Sequence, residues 1–218
     1  MLLRNLTSLD GLVRLLLTLP AVFWAISFHE FCHGYVAYLV GDPTAYRQGR
    51  LSLNPLAHFD LVGTLMLLFC GFGWAKPVPI NTRHFKHPQR DIILVSLAGV
   101  AGNFLTASVC ALILRFFFTD LAMIAPYAIR FLLIMIGLNL GLASFNLLPI
   151  PPLDGSKILY SFIPFRFVRY YYWLEQYGMY ILLFLVISGT LHTLTSPLFN
   201  FFESLMPFGN YMFLLRFM

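Results

Sequence analysis

Long apolar stretches alternate with short polar ones along this chain, and the apolar stretches have the length of membrane-spanning helices. Four of them stand out: residues 9–40, 92–118, 126–148 and 176–194. A spanning helix needs about 20 apolar residues, because the hydrocarbon core is about 30 Å thick and a helix rises about 1.5 Å per residue. The pattern predicts an all-α polytopic membrane protein with about four to five transmembrane helices.

The segment between the first and second long helices has a different pattern. Its apolar run, residues 61–72, is about a dozen residues long, which suits a re-entrant or interfacial piece. The alternative is a short transmembrane helix. Residues 49–53 and 74–80 look like short strands, and Pro77 and Pro79 confine the second to a sheet edge or an irregular strand. We therefore expect a short re-entrant/β-strand segment here.

Composition supports the membrane class. The chain of 218 residues is 59% hydrophobic and 11% charged, with a mean hydropathy of +0.78, which excludes an ordinary soluble domain. We expect a single membrane-embedded domain over residues 1–218, with a core at about 10–165 and a C-terminal helix and surface-lying tail at 176–218. A cleaved signal peptide is not expected, because cleavage near 21–27 would cut into the first long helix.

The basic residues predict the topology. Residues 41–90 hold six Lys and Arg and residues 149–175 hold three, whereas the predicted loop at 119–125 holds none. If 61–72 is re-entrant, the two basic segments share one side, and the positive-inside rule makes that side cytoplasmic. The net charge of +5 is explained by this loop bias, so no nucleic-acid partner is expected. The N-terminus is then expected outside.

The first long helix carries the motif His29-Glu30-Phe31-Cys32-His33. Histidines at i and i+4 lie on one helix face and can bind one metal ion, and the glutamate can take a proton from a metal-bound water. The preceding residues 12–28 carry a single charge, Arg14. Ionisable groups in such a segment are costly and usually functional. The motif favours hydrolysis within or beside the bilayer; the alternative is a polar cluster that pairs with a neighbouring helix.

A catalytic zinc needs a third protein ligand and an open position for water. Asp154 is the strongest candidate, because it follows a spanning helix and a proline turn on the side where the motif lies; the alternative is that it caps the next helix. Cys32 is poorly spaced to share the metal, and the cysteines predict no disulfide framework. The remaining rivals are the other histidines, His58, His84, His87 and His192.

Together these motifs resemble the site-2 proteases, which are intramembrane zinc metalloproteases. The resemblance rests on the histidine motif and on a later helix followed by 146–155, Asn-Leu-Leu-Pro-Ile-Pro-Pro-Leu-Asp-Gly. Shorter matches are Gly41-Asp42-Pro43-Thr44-Ala45, 49–55, 73–81 and Ser96-Leu97-Ala98-Gly99. The chain is similar to a compact prokaryotic branch without PDZ or CBS domains, and the similarity covers roughly residues 20–165.

The resemblance implies an activity and its residues. His29, His33 and Asp154 would bind one Zn²⁺, Glu30 would activate the zinc-bound water, and Asn146 would hold the substrate or the oxyanion near the metal. The protein would be a zinc metalloendopeptidase of a prokaryotic cell membrane that cleaves transmembrane protein substrates in or near the lipid bilayer. The expected process is regulated intramembrane proteolysis, and the topology predicted from the basic residues would open the active site to the cytoplasm.

One position departs from the family pattern. The family often has Gly-Pro in the third-helix motif, whereas this chain has Gly99-Val100-Ala101-Gly102-Asn103, and we expect Asn103 to pack or bond near the site. A transmembrane substrate must unwind before cleavage, and the predicted strands offer an edge for an extended segment.

Three rival functions remain. A non-catalytic scaffold that retains the protease fold would not need Glu30. A metal transporter would show paired repeats, and the sequence shows no clear ones. A metalloprotease for prenylated C-termini would not need the Asp154 loop.

Overall fold

The described part of the protein is built from a series of α-helices. The computed structural model describes residues 8–70 and 73–206, with only the backbone described for 67–70. Within these ranges the α-helices are α1 (Leu9–Leu39), α2 (Thr44–Arg47), α3 (Pro55–His58), α4 (Leu61–Cys70), α5 (Pro88–Ile124), α6 (Pro126–Asn146), α7 (Asp154–Phe162), α8 (Val168–Ile187) and α9 (Leu191–Leu205). Two 3₁₀ helices, Thr82–His84 and Phe165–Phe167, lie between them. The all-α prediction is confirmed.

Three described helices, α1, α5 and α6, are long and apolar enough to cross a membrane. The pair formed by α8 and α9 is bent by 90° at residues 188–190 and gives a fourth if it counts as one span. The described residues therefore reach only the lower end of the predicted four to five. The bounds predicted for this span, 176–194, are wrong, because residues 191–194 belong to α9, beyond the bend.

The predicted loop at 119–125 is also wrong. Helix α5 continues to Ile124, and α6 begins directly at Pro126, so Ala125 alone separates them. Proline favours the first position of a helix, where its missing N–H is not needed, and it disfavours a helical conformation in the residue before it. The break therefore comes at Pro126 itself, where hydropathy alone suggested a longer connection.

Helix α5 packs against both α1 and α6 and forms the centre of the molecule. Small residues on α5, such as Ala107 and Ala111, are fully buried in the main apolar cluster. Gly102 allows an especially close approach, since a β-carbon there would lie 2.5 Å from the Cys32 sulfur on α1. Small residues at the contact let membrane helices approach closely. This packing sets the distance between α1 and α5 at the level of the histidine motif.

Helix α4 lies in the segment predicted to re-enter. Its ten residues span about 15 Å, half of the hydrocarbon thickness. A β-carbon on Gly63 would lie 2.0 Å from the Trp74 carbonyl oxygen. The backbone at Trp74, which follows α4 in the sequence, therefore packs directly against α4. No residue in the described ranges is in a β-strand, and the strands predicted at 49–53 and 74–80 are not confirmed. Residues 71–72 of the apolar run lie outside the described ranges.

Helix α8 packs against the loop that precedes Asp154. A β-carbon on Gly178 would lie 2.1 Å from the Pro151 carbonyl oxygen. One turn further along α8, Leu182 is buried with Leu148 and Leu153 from the same loop. Helix α8 therefore supports the loop that leads into Asp154. The rest of the tail, residues 207–218, lies outside the described ranges.

Asp42 joins the end of α1 to the 3₁₀ helix. Its buried carboxylate accepts hydrogen bonds from the Thr44 backbone N–H (3.0 Å) and hydroxyl, the Asn81 N–H (2.6 Å) and His84 Nδ1 (2.9 Å). Burial acts to raise the pKa of Asp42, but these hydrogen bonds outweigh it and hold the pKa below its usual value. The stabilisation is therefore present above about pH 4, the unfolded value, and is lost as the pH falls through the folded pKa.

We expect Asp42→Ala to loosen the segment that follows Asn81. Loss of a buried carboxylate that pairs several donors costs about 3 kcal/mol, which corresponds to roughly a hundredfold increase in local opening. The measurement is the rate of trypsin cleavage after Arg83 and Lys86, which are exposed residues within this segment. Asp10→Ala serves as the control, because Asp10 forms an exposed ion pair with Arg130. Equal cleavage rates in the Asp42 and Asp10 variants would refute the anchoring role.

Candidate metal centre

Two helices bring three potential ligand atoms together. His29 and His33 lie one turn apart on α1, and Asp154 is the first residue of α7. The two imidazole Nε2 atoms are 2.9 Å apart, and Asp154 Oδ2 lies 3.2 Å from Nε2 of His29 and 2.9 Å from that of His33. All three side chains are buried. Among the described residues, this is the group of His, Cys, Asp or Glu that could hold a metal ion.

The spacing of these atoms fits a tetrahedral ion. Ligand bonds of about 2.0–2.2 Å at tetrahedral angles place neighbouring ligand atoms about 3.3 Å apart. The observed separations of 2.9–3.2 Å need an outward movement of only a few tenths of an ångström. Two imidazoles and one carboxylate are also a donor set that zinc accepts in catalytic sites, where the fourth position stays open. The residues present therefore fit the metal.

The outer nitrogens of both imidazoles are engaged in hydrogen bonds. His29 Nδ1–H donates to Asn103 Oδ1 at 2.6 Å, and His33 Nδ1–H donates to the Val95 carbonyl oxygen at 2.6 Å. Both acceptors lie on α5. A proton on Nδ1 leaves the lone pair of Nε2 free, which is the state that binds a metal. The expectation that Asn103 packs or bonds near the site is confirmed.

The two oxygens of Asp154 have separate partners. Oδ2 faces the imidazoles, whereas Oδ1 accepts a hydrogen bond from Lys157 Nζ at 2.9 Å. The N-cap position of α7 is Leu153, and no side-chain capping bond is present. Capping therefore does not explain this aspartate.

Gly99 on α5 lies directly against the two imidazoles. A β-carbon there would lie 2.5 Å from His33 Nε2 and 2.5 Å from His29 Cε1. Real side chains essentially never approach so closely. Any larger residue at this position would occupy space that the ligand atoms need. The backbone of α5 thus forms one wall of the site.

Glu30 contacts the segment that returns past α4. Its Oε2 accepts a hydrogen bond from the Val78 backbone N–H at 2.8 Å. The neighbouring polar groups of this segment are also paired. The Lys76 N–H donates to the His58 carbonyl at 3.0 Å, and Arg50 donates to the carbonyls of Lys76 and of the residue after it. The N–H groups of Lys76 and Val78 and the carbonyls of Lys76 and Pro77 are therefore already paired within the protein.

Asn146 bonds within its own helix and is not joined to the cluster of His29, His33 and Asp154 by the contacts of the described residues. It ends α6, and its side-chain amide donates to the Leu142 carbonyl on the same helix at 3.0 Å. Of the rival histidines, His58 bonds the Ser52 carbonyl and His84 bonds Asp42, so neither belongs to the cluster.

Sequence reasoning missed Asn139. Its side chain is fully buried on α6 and accepts a hydrogen bond from Asn103 Nδ2 at 2.8 Å. The available signal was a polar residue in the middle of an apolar helix, because such residues in a membrane are usually paired.

Comparisons with known proteins agree with this site. The chain is 40% identical over 180 residues to "Putative zinc metalloprotease YwhC" of Bacillus subtilis, covering 81% of this chain and 82% of that protein. It is 30% identical to "Putative zinc metalloprotease Rip2" of Mycobacterium tuberculosis, covering 78% of this chain and 66% of that protein. It is 29% identical to "Putative zinc metalloprotease MJ0611" of Methanocaldococcus jannaschii, covering 66% of this chain and 69% of that protein.

No protein-family profile matches the chain, and no solved structure matches it. The similarity to YwhC nevertheless extends over most of both proteins. Two proteins that are 40% identical over 180 residues belong to the same family. The protein therefore belongs to the site-2 protease-like family of YwhC.

Proposed function

We propose that this protein is a zinc metalloendopeptidase that hydrolyses peptide bonds in or near the transmembrane segments of other membrane proteins. The observation that carries the proposal is the buried convergence of His29, His33 and Asp154, with Glu30 next to it on a helix apolar enough to span a bilayer. The names of the relatives support the same class of activity. A scaffold or a transporter gains no support from any contact in the described residues.

His29, His33 and Asp154 would hold one Zn²⁺ and leave the fourth position open. Bound zinc would polarise the scissile carbonyl and lower the pKa of a water molecule at the open position. Lys157 keeps one oxygen of Asp154 occupied, which favours coordination through the other oxygen alone. Single-oxygen coordination preserves the open position.

Glu30 would act as the general base. The hydrogen bond from the Val78 N–H to Oε2 restrains the carboxylate, and the second oxygen is then the one that accepts a proton from the attacking water. The same carboxyl group would pass that proton to the leaving amine. Because the bond from Val78 fixes the acceptor before substrate arrives, little reorganisation of Glu30 is needed during the reaction.

Asn146 would stabilise the negative charge that develops on the carbonyl oxygen. Its amide is held by the Leu142 carbonyl in this structure, so the role requires a rotation of the side chain when substrate binds. A side-chain amide placed near the developing oxyanion is a common source of transition-state stabilisation. The support for this role is the family resemblance and the position of Asn146 at the end of α6, in the loop region that leads to Asp154.

The substrate and the orientation are also part of the proposal. His29, Glu30 and His33 lie on a helix that can span a bilayer, so a peptide bond that reaches them belongs most simply to a membrane-embedded chain. We propose that α4 and the segment returning past Gly63 form a re-entrant element. With the basic segments on one side, the positive-inside rule opens the site to the cytoplasm. Because α8 packs against the loop before Asp154, we propose a single functional unit that includes α8 as well as the core.

The test is cleavage of a model transmembrane substrate by the purified protein in detergent, with zinc counted by elemental analysis. We expect about one zinc per chain and cleavage that a chelator abolishes and added zinc restores. An unstructured soluble peptide with the same cleavage sequence is the matched control. Preferential cleavage of that soluble peptide would refute membrane-embedded substrates, and a protein that neither binds zinc nor cleaves either substrate would refute the proposed enzyme.

A further inference from the structure

A chain of two buried asparagines runs from His29 into the centre of the helix bundle. Asn103 on α5 accepts the His29 Nδ1–H at 2.6 Å through Oδ1, and its Nδ2 donates to Asn139 Oδ1 on α6 at 2.8 Å. Both asparagines are fully buried. These hydrogen bonds thus link α1, α5 and α6, the three helices that are long and apolar enough to span a membrane.

Two backbone carbonyls determine which way both amides face. Asn139 Nδ2 donates to the Met135 carbonyl at 2.8 Å, and Asn103 Nδ2 donates to the Ala25 carbonyl at 3.1 Å. A carbonyl oxygen can only accept, so each of these contacts requires the amide nitrogen. Asn139 Oδ1 must then point to Asn103, and Asn103 Oδ1 must point to His29.

The orientation of Asn103 leaves one proton arrangement for a neutral His29. An acceptor at Nδ1 requires the proton on that nitrogen, so Nε2 keeps its lone pair. A reversed Asn103 amide would place its oxygen against the Ala25 carbonyl and leave Asn139 without its donor. Unpaired polar groups are costly in a buried low-dielectric region. The network therefore disfavours the tautomer with the proton on Nε2, in which that nitrogen could not bind a metal.

We propose that Asn103 and Asn139 are positioning residues that hold His29 in its metal-binding tautomer and orientation. This rests on the proposed function only in that His29 is taken as a zinc ligand. Asn103 acts directly on His29, and Asn139 acts through Asn103. The other histidine, His33, receives its support from the Val95 backbone carbonyl, so side-chain substitutions can test the control of His29 separately.

The test measures zinc affinity, by competition with a chelator, in the purified full-length protein in detergent. We expect Asn103→Leu to weaken zinc binding by about 10- to 100-fold, the usual cost of losing an outer partner of a metal ligand. Asn103→Asp keeps an acceptor for His29 Nδ1, but its second oxygen faces the Ala25 carbonyl and Asn139 Oδ1 and can pair with them only when it carries a proton. We therefore expect its zinc affinity to lie between those of the parent and Asn103→Leu. The controls are Thr106→Val and Ser144→Ala, which remove other buried hydroxyls from α5 and α6 and should leave zinc affinity unchanged.

Asn139→Leu tests the indirect role. It removes one of the two acceptors that orient Asn103, so we expect a smaller loss of affinity, and the double variant should bind zinc no more weakly than Asn103→Leu alone. If Asn103→Leu does not fold, the test rests on Asn139→Leu. Zinc binding by Asn139→Leu that equals that of the parent would then overturn the proposal. Zinc binding by Asn103→Leu equal to the parent overturns it as well. A parent that binds zinc but cleaves nothing refutes the proposed protease alone.

Discussion

Glu30→Gln is expected to retain zinc and to lower the cleavage rate by about 10²- to 10⁴-fold, the usual contribution of a general base. Glutamine has nearly the same shape, and its amide oxygen can still accept the hydrogen bond from the Val78 N–H. The local structure should therefore persist while the proton acceptor is lost. The measurement is the initial rate of cleavage of the model transmembrane substrate, together with zinc content.

Glu175→Gln is the matched control for this prediction. It makes the same chemical change at an exposed position on α8, and it should leave the rate unchanged. Parental cleavage by Glu30→Gln would exclude Glu30 as the base. Loss of zinc in Glu30→Gln would instead show that Glu30 helps to maintain the metal site.

Gly99→Ala is expected to lower zinc content well below one per chain and to reduce cleavage by about 100-fold or more, as misplacement by about 1 Å can do. The added methyl group would lie 2.5 Å from atoms of both His29 and His33. Because α5 packs tightly against α1, relief requires the imidazoles to move or the two helices to separate. Either movement disturbs the spacing that the metal needs.

Gly141→Ala provides the comparison for Gly99→Ala. Gly141 lies on the spanning helix α6, and a β-carbon there would meet no atom within 4 Å. The variant makes the same change in a similar setting and should keep its zinc. Full zinc occupancy in Gly99→Ala, measured by elemental analysis after purification without added metal, would contradict the steric explanation.

Sequence periodicity predicted the first helix well, and the spacing of His29 and His33 placed both on one helix face, whereas Asp154 was assigned to the metal through the family resemblance. The prediction of residues 9–40 matches α1, Leu9–Leu39, because one apolar run ends at a glycine with φ of +113°. The bend between α8 and α9 was missed because hydropathy averages over Ser188–Thr190, although Gly189, with φ of +74°, marks a turn. The strands at 49–53 and 74–80 were inferred from local composition, whereas strand formation depends on a pairing partner.

The contacts that complete the site could not be predicted from the sequence of any single helix, because they join residues that are far apart in the chain. The bond between Glu30 and Val78 joins residues 48 positions apart, and the bond between His29 and Asn103 joins residues 74 positions apart. Spacing along α1 shows that two histidines share a face, but it does not show which atoms of α5 meet them. Those contacts follow from how closely the helices pack, which Gly99 sets.

The contact between Gly178 and Pro151 also bears on how much of the chain is needed to bind the metal. Both sequence motifs end by residue 155, and a fragment stopping near residue 165 would contain every proposed ligand. Such a fragment would nevertheless lack the α8 surface against which the loop before Asp154 is pressed. The third ligand would then follow a loop that has lost its packing partner, and a chain with a complete set of motifs could still fail to bind its metal.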